Sequence, residues 1–309
     1  MDGFCLFFLI GMWYNIYTME FSYETRIRVL MNKYHFRFDK SLGQNFLIDD
    51  GFLSRIVAGA SPDTGDRILE IGPGMGFLTE KLAEKAGSVT AIELDELLCT
   101  ILNEVFAENE KITVHHGDAL KLDFDAIEKE TAAKGFDRPF KIVANLPYYI
   151  TTPLLFYFLD HREYWSEMVV MVQKEVAERI VAPPGGKDYG VLTLMTAYDA
   201  DAEIILDVPA AAFEPRPSVD SAVLRLVRRD APPVEVKDKT VFRSLVKAGF
   251  GQRRKTLSNA LKNSGIFDDK SQARALLEAC GVDGKRRGET LSFEEYALLS
   301  NTWVDMKNK

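Results

Sequence analysis

Arg67-Ile68-Leu69-Glu70-Ile71-Gly72-Pro73-Gly74-Met75-Gly76 joins a short apolar run to a glycine-rich turn. The run has the length of a buried strand, and the glycines allow a tight turn that a ligand can approach where any Cβ would clash. Apolar residues at helical spacing follow from Phe77 to Ala86. The pattern then repeats: a strand at Val89–Ile92, a helix at Leu97–Phe106, and strands at 112–114, 140–143 and 168–172. Thr152-Pro153 reads as a helix cap followed by proline at the first helical position, opening Leu154–Leu159. Strands alternating with helices predict a mostly parallel sheet covered on both faces.

The turn also narrows the ligand. A helix N-terminus behind it favours a carboxylate or phosphate. Glu93 closes the second strand 17 residues beyond Gly76, where an acid can accept hydrogen bonds from ribose hydroxyls. A lone glycine-rich turn is equally a tight strand–helix corner. With a strand before it, a helix after it and an acid on the next strand, nucleoside binding is the better reading. The third glycine comes one residue too early for the dinucleotide pattern, and Glu70 would repel a pyrophosphate. That acid suits S-adenosylmethionine, which has a positive sulfur and a free amino group. Asp118, after the third strand, is then positioned to accept from the adenine amino group, although a plain turn after Gly117 explains it too.

The chain has 309 residues, 47% hydrophobic and 27% charged, which is ordinary globular composition and room for two domains at about 150 residues each. Its three cysteines (Cys5, Cys99, Cys280) form no close pair, so neither a disulfide framework nor a structural zinc site is expected. The net charge of −8 is unevenly spread. Residues 61–150 carry 9 basic and 17 acidic side chains, whereas residues 216–290 carry 17 basic and 9 acidic ones. That asymmetry fits a cofactor-binding half and a half that faces an anionic partner, or simply two solvated surfaces of opposite sign.

Residues 1–30 are expected to be an extension without function, with translation starting at Met19 or Met31. The apolar run Phe4–Met12 is far short of the ~20 residues of a membrane span and lacks the cationic start of a secretory signal; a short interfacial anchor is the weaker alternative. Asp230-Ala231-Pro232-Pro233 marks a boundary, after which 242–262, 271–280 and 293–301 have helical spacing. The expected organisation is a catalytic domain at 31–229 and a small helical domain at 230–309.

Asn145-Leu146-Pro147-Tyr148 follows the fourth strand, and open α/β sheets bind ligands at strand carboxyl ends. An amino group conjugated to a purine is a poor nucleophile because the ring withdraws its lone pair. The Asn145 carboxamide oxygen and a backbone carbonyl near Leu146 can each accept one N–H bond and hold the nitrogen closer to tetrahedral. Such catalysis is positional and electrostatic and needs no strong base. Pro147 stiffens the loop, and Tyr148 offers a face for the base, with stacking worth roughly 1–3 kcal/mol.

Five segments in order, Lys40–Leu47, Glu70–Gly76, Asn145–Tyr148, Phe213–Ser221 and Phe250–Leu257, resemble the ribosomal RNA adenine dimethyltransferases, most closely the bacterial small-subunit (KsgA) type. The resemblance runs from about Lys33 to Asn301. It implies a Rossmann-like class I S-adenosylmethionine-dependent methyltransferase domain followed by a small all-helical domain. By position, it assigns Asn45, Leu47, Gly72, Glu93, Asp118 and Asn145 to the cofactor. It makes Tyr148 and Phe213 the aromatic pair around the extruded adenine; without it, Phe213 reads as a core residue.

The implied reaction places two methyl groups on the exocyclic nitrogen of each of two adjacent adenosines in the last hairpin loop of 16S rRNA. The implied setting is a cytoplasmic monomer acting on the immature small subunit. Loop bases are partly unstacked, which lowers the cost of extrusion. Three basic clusters then have a role in positioning RNA by its phosphates. They are Arg225, Arg228 and Arg229; Arg243, Lys247, Arg253, Arg254 and Lys255; and Lys285, Arg286 and Arg287.

His115 and His116 lack partners at metal spacing, so no metal is expected. Ser41 and Ser218 have no histidine base at recognisable spacing, which leaves hydrolase chemistry unsupported. Two rivals stand beside the main reading: a resistance methyltransferase of 23S rRNA, and an assembly factor whose binding role dominates.

Overall fold

The computed structural model of the protein describes residues 21–39 and 42–308. Lys40 and Ser41 of the first motif, and residues 1–20 of the expected extension, lie outside these. The strands are β1 (Phe46–Leu47), β2 (Arg67–Ile71), β3 (Ser88–Glu93), β4 (Ile112–His116), β5 (Phe140–Asn145), β6 (Trp165–Gln173), β7 (Ala200–Val208), β8 (Phe213–Glu214) and β9 (Ser221–Arg228). Seven of them form one sheet in the order β4-β3-β2-β5-β6-β9-β7, and β1 pairs antiparallel with β8 in a separate ribbon. The pairs β4·β3, β3·β2, β2·β5 and β5·β6 are parallel. From β2 the chain moves outward through β3 to β4 and then returns to β5 on the other side of β2. The reversal leaves a crevice at the carboxyl ends of β2 and β5, where such sheets take ligands.

β2 and β3 are buried along their whole length, as strands covered on both faces should be. Arg67 is buried in β2 yet well satisfied. It bonds Arg138 O, Glu128 and Thr131, and its guanidinium lies 4.2 Å from the Phe140 ring centroid. Helix α1 (Tyr23–Tyr34) crosses the boundary expected at 30/31. Ile27 and Leu30 belong to the same hydrophobic core as Phe46 and Val143, and Arg26 pairs with Glu80 at 2.9 Å. This segment is therefore structural, because an amphipathic helix must bury its apolar face. Helices α2 (Asp50–Ala60), α3 (Phe77–Lys85), α4 (Glu96–Val105) and α5 (Phe124–Ala133) follow. The side chains of Asp49, Asp95 and Asp123 cap α2, α4 and α5.

Helix α6 (Thr151–Asp160) starts one residue ahead of the expected Thr152 cap. A 3-10 turn at Tyr148–Ile150 feeds straight into it, and the Thr151 hydroxyl donates to Pro147 O at 3.0 Å.

The chain divides into two compact units. The first takes in the chain up to Tyr157 with Glu163–Lys174 and Ile205–Arg225; the second takes Phe158–Arg162, Glu175–Ile204 and Leu226–Lys309. A single cut at 229/230 therefore misses the inserts of the second unit. That unit holds α7 (Lys174–Ile180) from Glu175 on, α8 (Val191–Asp199), α9 (Lys239–Gly251), α10 (Leu257–Lys262), α11 (Lys270–Ala279) and α12 (Phe293–Lys307). What recruits α8 is packing and charge. Tyr198 lies 5.6 Å from Phe242, itself 5.2 Å from Phe293, and the buried Asp199 carboxylate sits 2.9 Å from Lys239. The helical spacing over 242–262 resolves into α9 and α10, separated by the polar run Gln252–Lys255, which offers nothing to bury.

Candidate functional site

A cavity of about 1060 Å³, counted to its open mouth, lies at the carboxyl ends of β2 and β5 within the first unit. It brings together nearly every residue expected from the sequence: Asn45, Leu47, Gly72, Glu93, Asp118, Asn145, Leu146, Pro147 and Tyr148 all line it.

The floor is the glycine-rich turn. Gly72 and Gly74 have φ of +66° and +59°, and Gly72 N–H donates to Ile92 O at 2.9 Å. A Cβ on Gly74 would lie 2.6 Å from the Phe46 ring, so only glycine lets the 42–47 segment close down on the turn. The Glu93 carboxylate ties turn to strand, accepting from Gly74 N–H at 3.1 Å, Leu94 N–H at 2.8 Å and Asp95 N–H at 3.0 Å. Burial nevertheless raises its pKa. Asp118 accepts from Leu120 N–H at 3.0 Å, capping a 3-10 turn, and has Lys121 at 3.3 Å. Its turn role and its place on the cavity wall coexist.

Glu70 lies beneath this floor, 1% exposed. Burial, reinforced by the Glu93 charge and opposed by the Thr79 hydroxyl, pushes its pKa up to about 8. The carboxyl thus favours its protonated form near neutral pH. One of its oxygens is buried without a hydrogen-bond partner. A buried polar atom left unmatched is costly, and this one lines a cavity that also offers Glu93 and Asp118. A ligand with an ammonium or sulfonium centre, a ribose and an adenine meets all three, so the donor set fits S-adenosylmethionine.

The opposite wall is the Asn145–Tyr148 segment. Asn145 ends β5, and its Nδ2 donates to Asn45 O at 3.0 Å. That bond fixes which way the carboxamide faces, leaving Oδ1 as the free acceptor. Leu146 is buried, with its N–H spent on Met171 O at 3.0 Å. Pro147 has no N–H, and its carbonyl takes Ile150 N–H and the Thr151 hydroxyl. The segment is therefore rigid through its own bonds. Tyr148 shares a 2.6 Å hydrogen bond with the Ser221 hydroxyl, and burial raises its pKa. Ser221 closes the fourth motif, but its function as the tether of Tyr148 has no sequence signal.

Phe213 departs from expectation. Its ring is 2% exposed and part of the hydrophobic core, and its backbone pairs with Leu47 in the β1·β8 ribbon. It is not among the residues that line the cavity. The ribbon needs an apolar underside, and Phe213 supplies it. The basic clusters also divide. Arg253 bonds Lys187 O, Tyr189 O and Glu289, and Arg286 forms a two-pronged pair with Glu295. These two brace the second unit. Arg254, Lys255, Lys285 and Arg287 are exposed. Their two turns are joined by Leu257 N–H to Arg286 O at 2.6 Å and Ser258 N–H to Gly284 O at 3.0 Å. Arg225, Arg229 and Arg243 pair with Glu167, Asp201 and Asp160, and Arg228 donates to Arg162 O. No helix among the described residues is long and apolar enough to cross a membrane.

A family model described as ribosomal RNA adenine dimethylase matches residues 35–302. Ribosomal RNA small subunit methyltransferase A of Geobacillus kaustophilus (strain HTA426) is 48% identical over 288 residues, covering 92% of this chain and 97% of that protein. The protein of the same name from Alkaliphilus oremlandii (strain OhILAs) is 46% identical over 280 residues, covering 91% and 96%. Among solved structures, a dimethyladenosine transferase from Plasmodium falciparum matches with a TM-score of 0.70 at 26% identity, covering 84% of this chain and 97% of its own.

Proposed function

Because the chain belongs to the ribosomal RNA adenine dimethylase family, we propose that it dimethylates two adjacent adenosines in the 3′-terminal hairpin loop of 16S rRNA. It is an S-adenosylmethionine-dependent rRNA adenine dimethyltransferase with a Rossmann-like fold. Its substrate particle is the immature small subunit, on which it acts as a cytoplasmic monomer. The relatives named for the small subunit favour this over the 23S reading.

The observation that carries the chemistry is the Asn145 carboxamide, oriented by Asn45 O at the strand reversal. S-adenosylmethionine supplies an electrophilic methyl group on a positively charged sulfur. Glu93 and Asp118 would hold its ribose and adenine, and Glu70 would face its cationic part. Asn145 Oδ1 accepts one N–H of the target amine and the Leu146 carbonyl the other, which localises the nitrogen lone pair for attack. Tyr148, held by Ser221, provides the stacking face. As the first methyl passes to nitrogen its bond to sulfur breaks, leaving a neutral thioether, and the methylated nitrogen sheds a proton to water; one N–H then remains, so a single acceptor suffices for the second transfer.

Unmethylated small subunits incubated with methyl-labelled cofactor are expected to carry label in 16S rRNA. Label confined to 23S rRNA would replace this reading with the resistance type, and no transfer despite cofactor binding would favour the assembly-factor role. The exposed basic surface gives a second prediction. Arg254→Ala with Lys255→Ala should reduce the salt slope of RNA binding by about 1 for each phosphate that the two side chains neutralise. Arg286→Ala should instead lower the melting temperature, because it leaves Glu295 unpaired. An unchanged slope in the double variant would remove these two cations from the RNA interface.

A further inference from the structure

The cavity mouth has an aromatic residue with no part in the reaction as derived. Tyr149 follows Tyr148 on the same 3-10 turn, and successive residues of such a turn point about 120° apart. Tyr148 reaches Ser221. Tyr149 turns the other way, and its ring lies against Gly43, where a Cβ would sit 3.3 Å from Tyr149 Cδ1. Gly43 has φ +61°, so the strap is bent there in a way that favours glycine and leaves room for the ring. The strap is fastened at both ends. Gln44 Nε2 donates to Asp95 Oδ2 at 3.0 Å beyond β3, and Asn45 O accepts from Asn145 beyond β5.

Tyr149 is 50% exposed, and Leu94, next to Glu93, is 43% exposed and lines the same cavity. Tyr149 lines the same cavity as Glu93 and Asp118; burial raises its pKa, and the carboxylates of Asp118, Glu93 and Asp39 add to that. A half-covered aromatic beside two acids that accept from ribose and adenine has the properties of a wall for a flat heterocycle.

We propose that Tyr149 is the cofactor-side positioning residue of this site: its ring closes over the adenosine part of S-adenosylmethionine and holds the Gly43 strap across it. The two tyrosines thereby divide the work, Tyr148 for the target base and Tyr149 for the cofactor. The proposal rests on the S-adenosylmethionine reading above and adds to it a residue that sets cofactor residence.

The test is calorimetric binding of S-adenosylhomocysteine to the full chain, alongside steady-state kinetics. Tyr149→Ala should weaken binding about tenfold (~1.4 kcal/mol) and raise KM for the cofactor, with kcat at saturating cofactor and RNA affinity preserved. Tyr149→Phe should restore wild-type binding, because the ring rather than the hydroxyl closes the site. Tyr148→Ala should do the reverse, sparing S-adenosylhomocysteine binding while impairing methyl transfer. Unchanged binding by Tyr149→Ala, or a loss in Tyr149→Phe equal to that in alanine, overturns the proposal. Absence of binding by the wild type would overturn the cofactor reading itself, a distinct outcome.

Discussion

Asn145→Ala is expected to reduce methyl transfer by roughly 10²–10³-fold, the range for removing one preorganised hydrogen-bonding group at the reacting atoms. The side chain does two things that alanine cannot. Its Oδ1 is the acceptor aimed at the amine, and its Nδ2 fixes that aim through Asn45 O. Asn145→Asp should fail as well, since a second carboxylate oxygen would face the Asn45 carbonyl, acceptor against acceptor. RNA affinity should hold in both variants, because the exposed cations at Arg254, Lys255, Lys285 and Arg287 are untouched. Single-turnover kinetics with saturating cofactor separates the two effects, and wild-type turnover in Asn145→Ala would contradict the amine-orienting role.

Glu70 gives the second large effect, through pH. Its folded pKa of about 8 lies above the ordinary 4.5, so the folded protein keeps a proton there that the unfolded chain releases. Stability from this group is complete below about pH 4.5 and declines as pH rises towards 8. Glu70→Gln removes that decline, and its melting temperature should exceed that of wild type most clearly above pH 8. A cationic ligand favours the ionised form. Binding of S-adenosylmethionine at pH 7 should therefore release a proton, and affinity should climb with pH up to about 8. Hydrogen bonds to charged groups contribute roughly 1.5–3 kcal/mol, so Glu70→Gln should bind the cofactor about ten- to a hundredfold more weakly and lose the pH dependence. Calorimetry in buffers of different protonation enthalpy measures the proton directly. Affinity independent of pH, with no proton released, would contradict the role.

The nucleoside site was legible because it is local. Strand, glycine turn, helix and the acid at Glu93 lie within one stretch of chain, and each has a sequence signature in hydrophobic period or backbone freedom. What the sequence hid depends on partners far along the chain. Helix α1 looked dispensable because its stripe of Ile27 and Leu30 has meaning only against a core that includes Phe46 and Val143. The inserts of the second unit have no local signature, because α8 joins the C-terminal helices through Tyr198 and Asp199, whose partners come some forty or more residues later. Phe213, buried through its pairing with Leu47, likewise owes its place to a partner far along the chain. Arg253 and Arg286 match their neighbours in charge, and only the carbonyls and carboxylates around them mark them as braces. Tyr149 stood in plain view beside Tyr148, and a 3-10 turn that splays the two rings is what distinguishes them.

The central claim is that this site methylates adenine nitrogen through an oriented carboxamide. The most direct measurement is mass spectrometry of nucleosides and fragments from unmethylated small subunits incubated with S-adenosylmethionine and either wild-type protein or Asn145→Ala. Dimethyladenosine at the two adjacent loop positions with wild type, formed roughly 10²–10³-fold more slowly with the variant, is the predicted result. Equal dimethyladenosine from both proteins, or modification of a different atom, would contradict it.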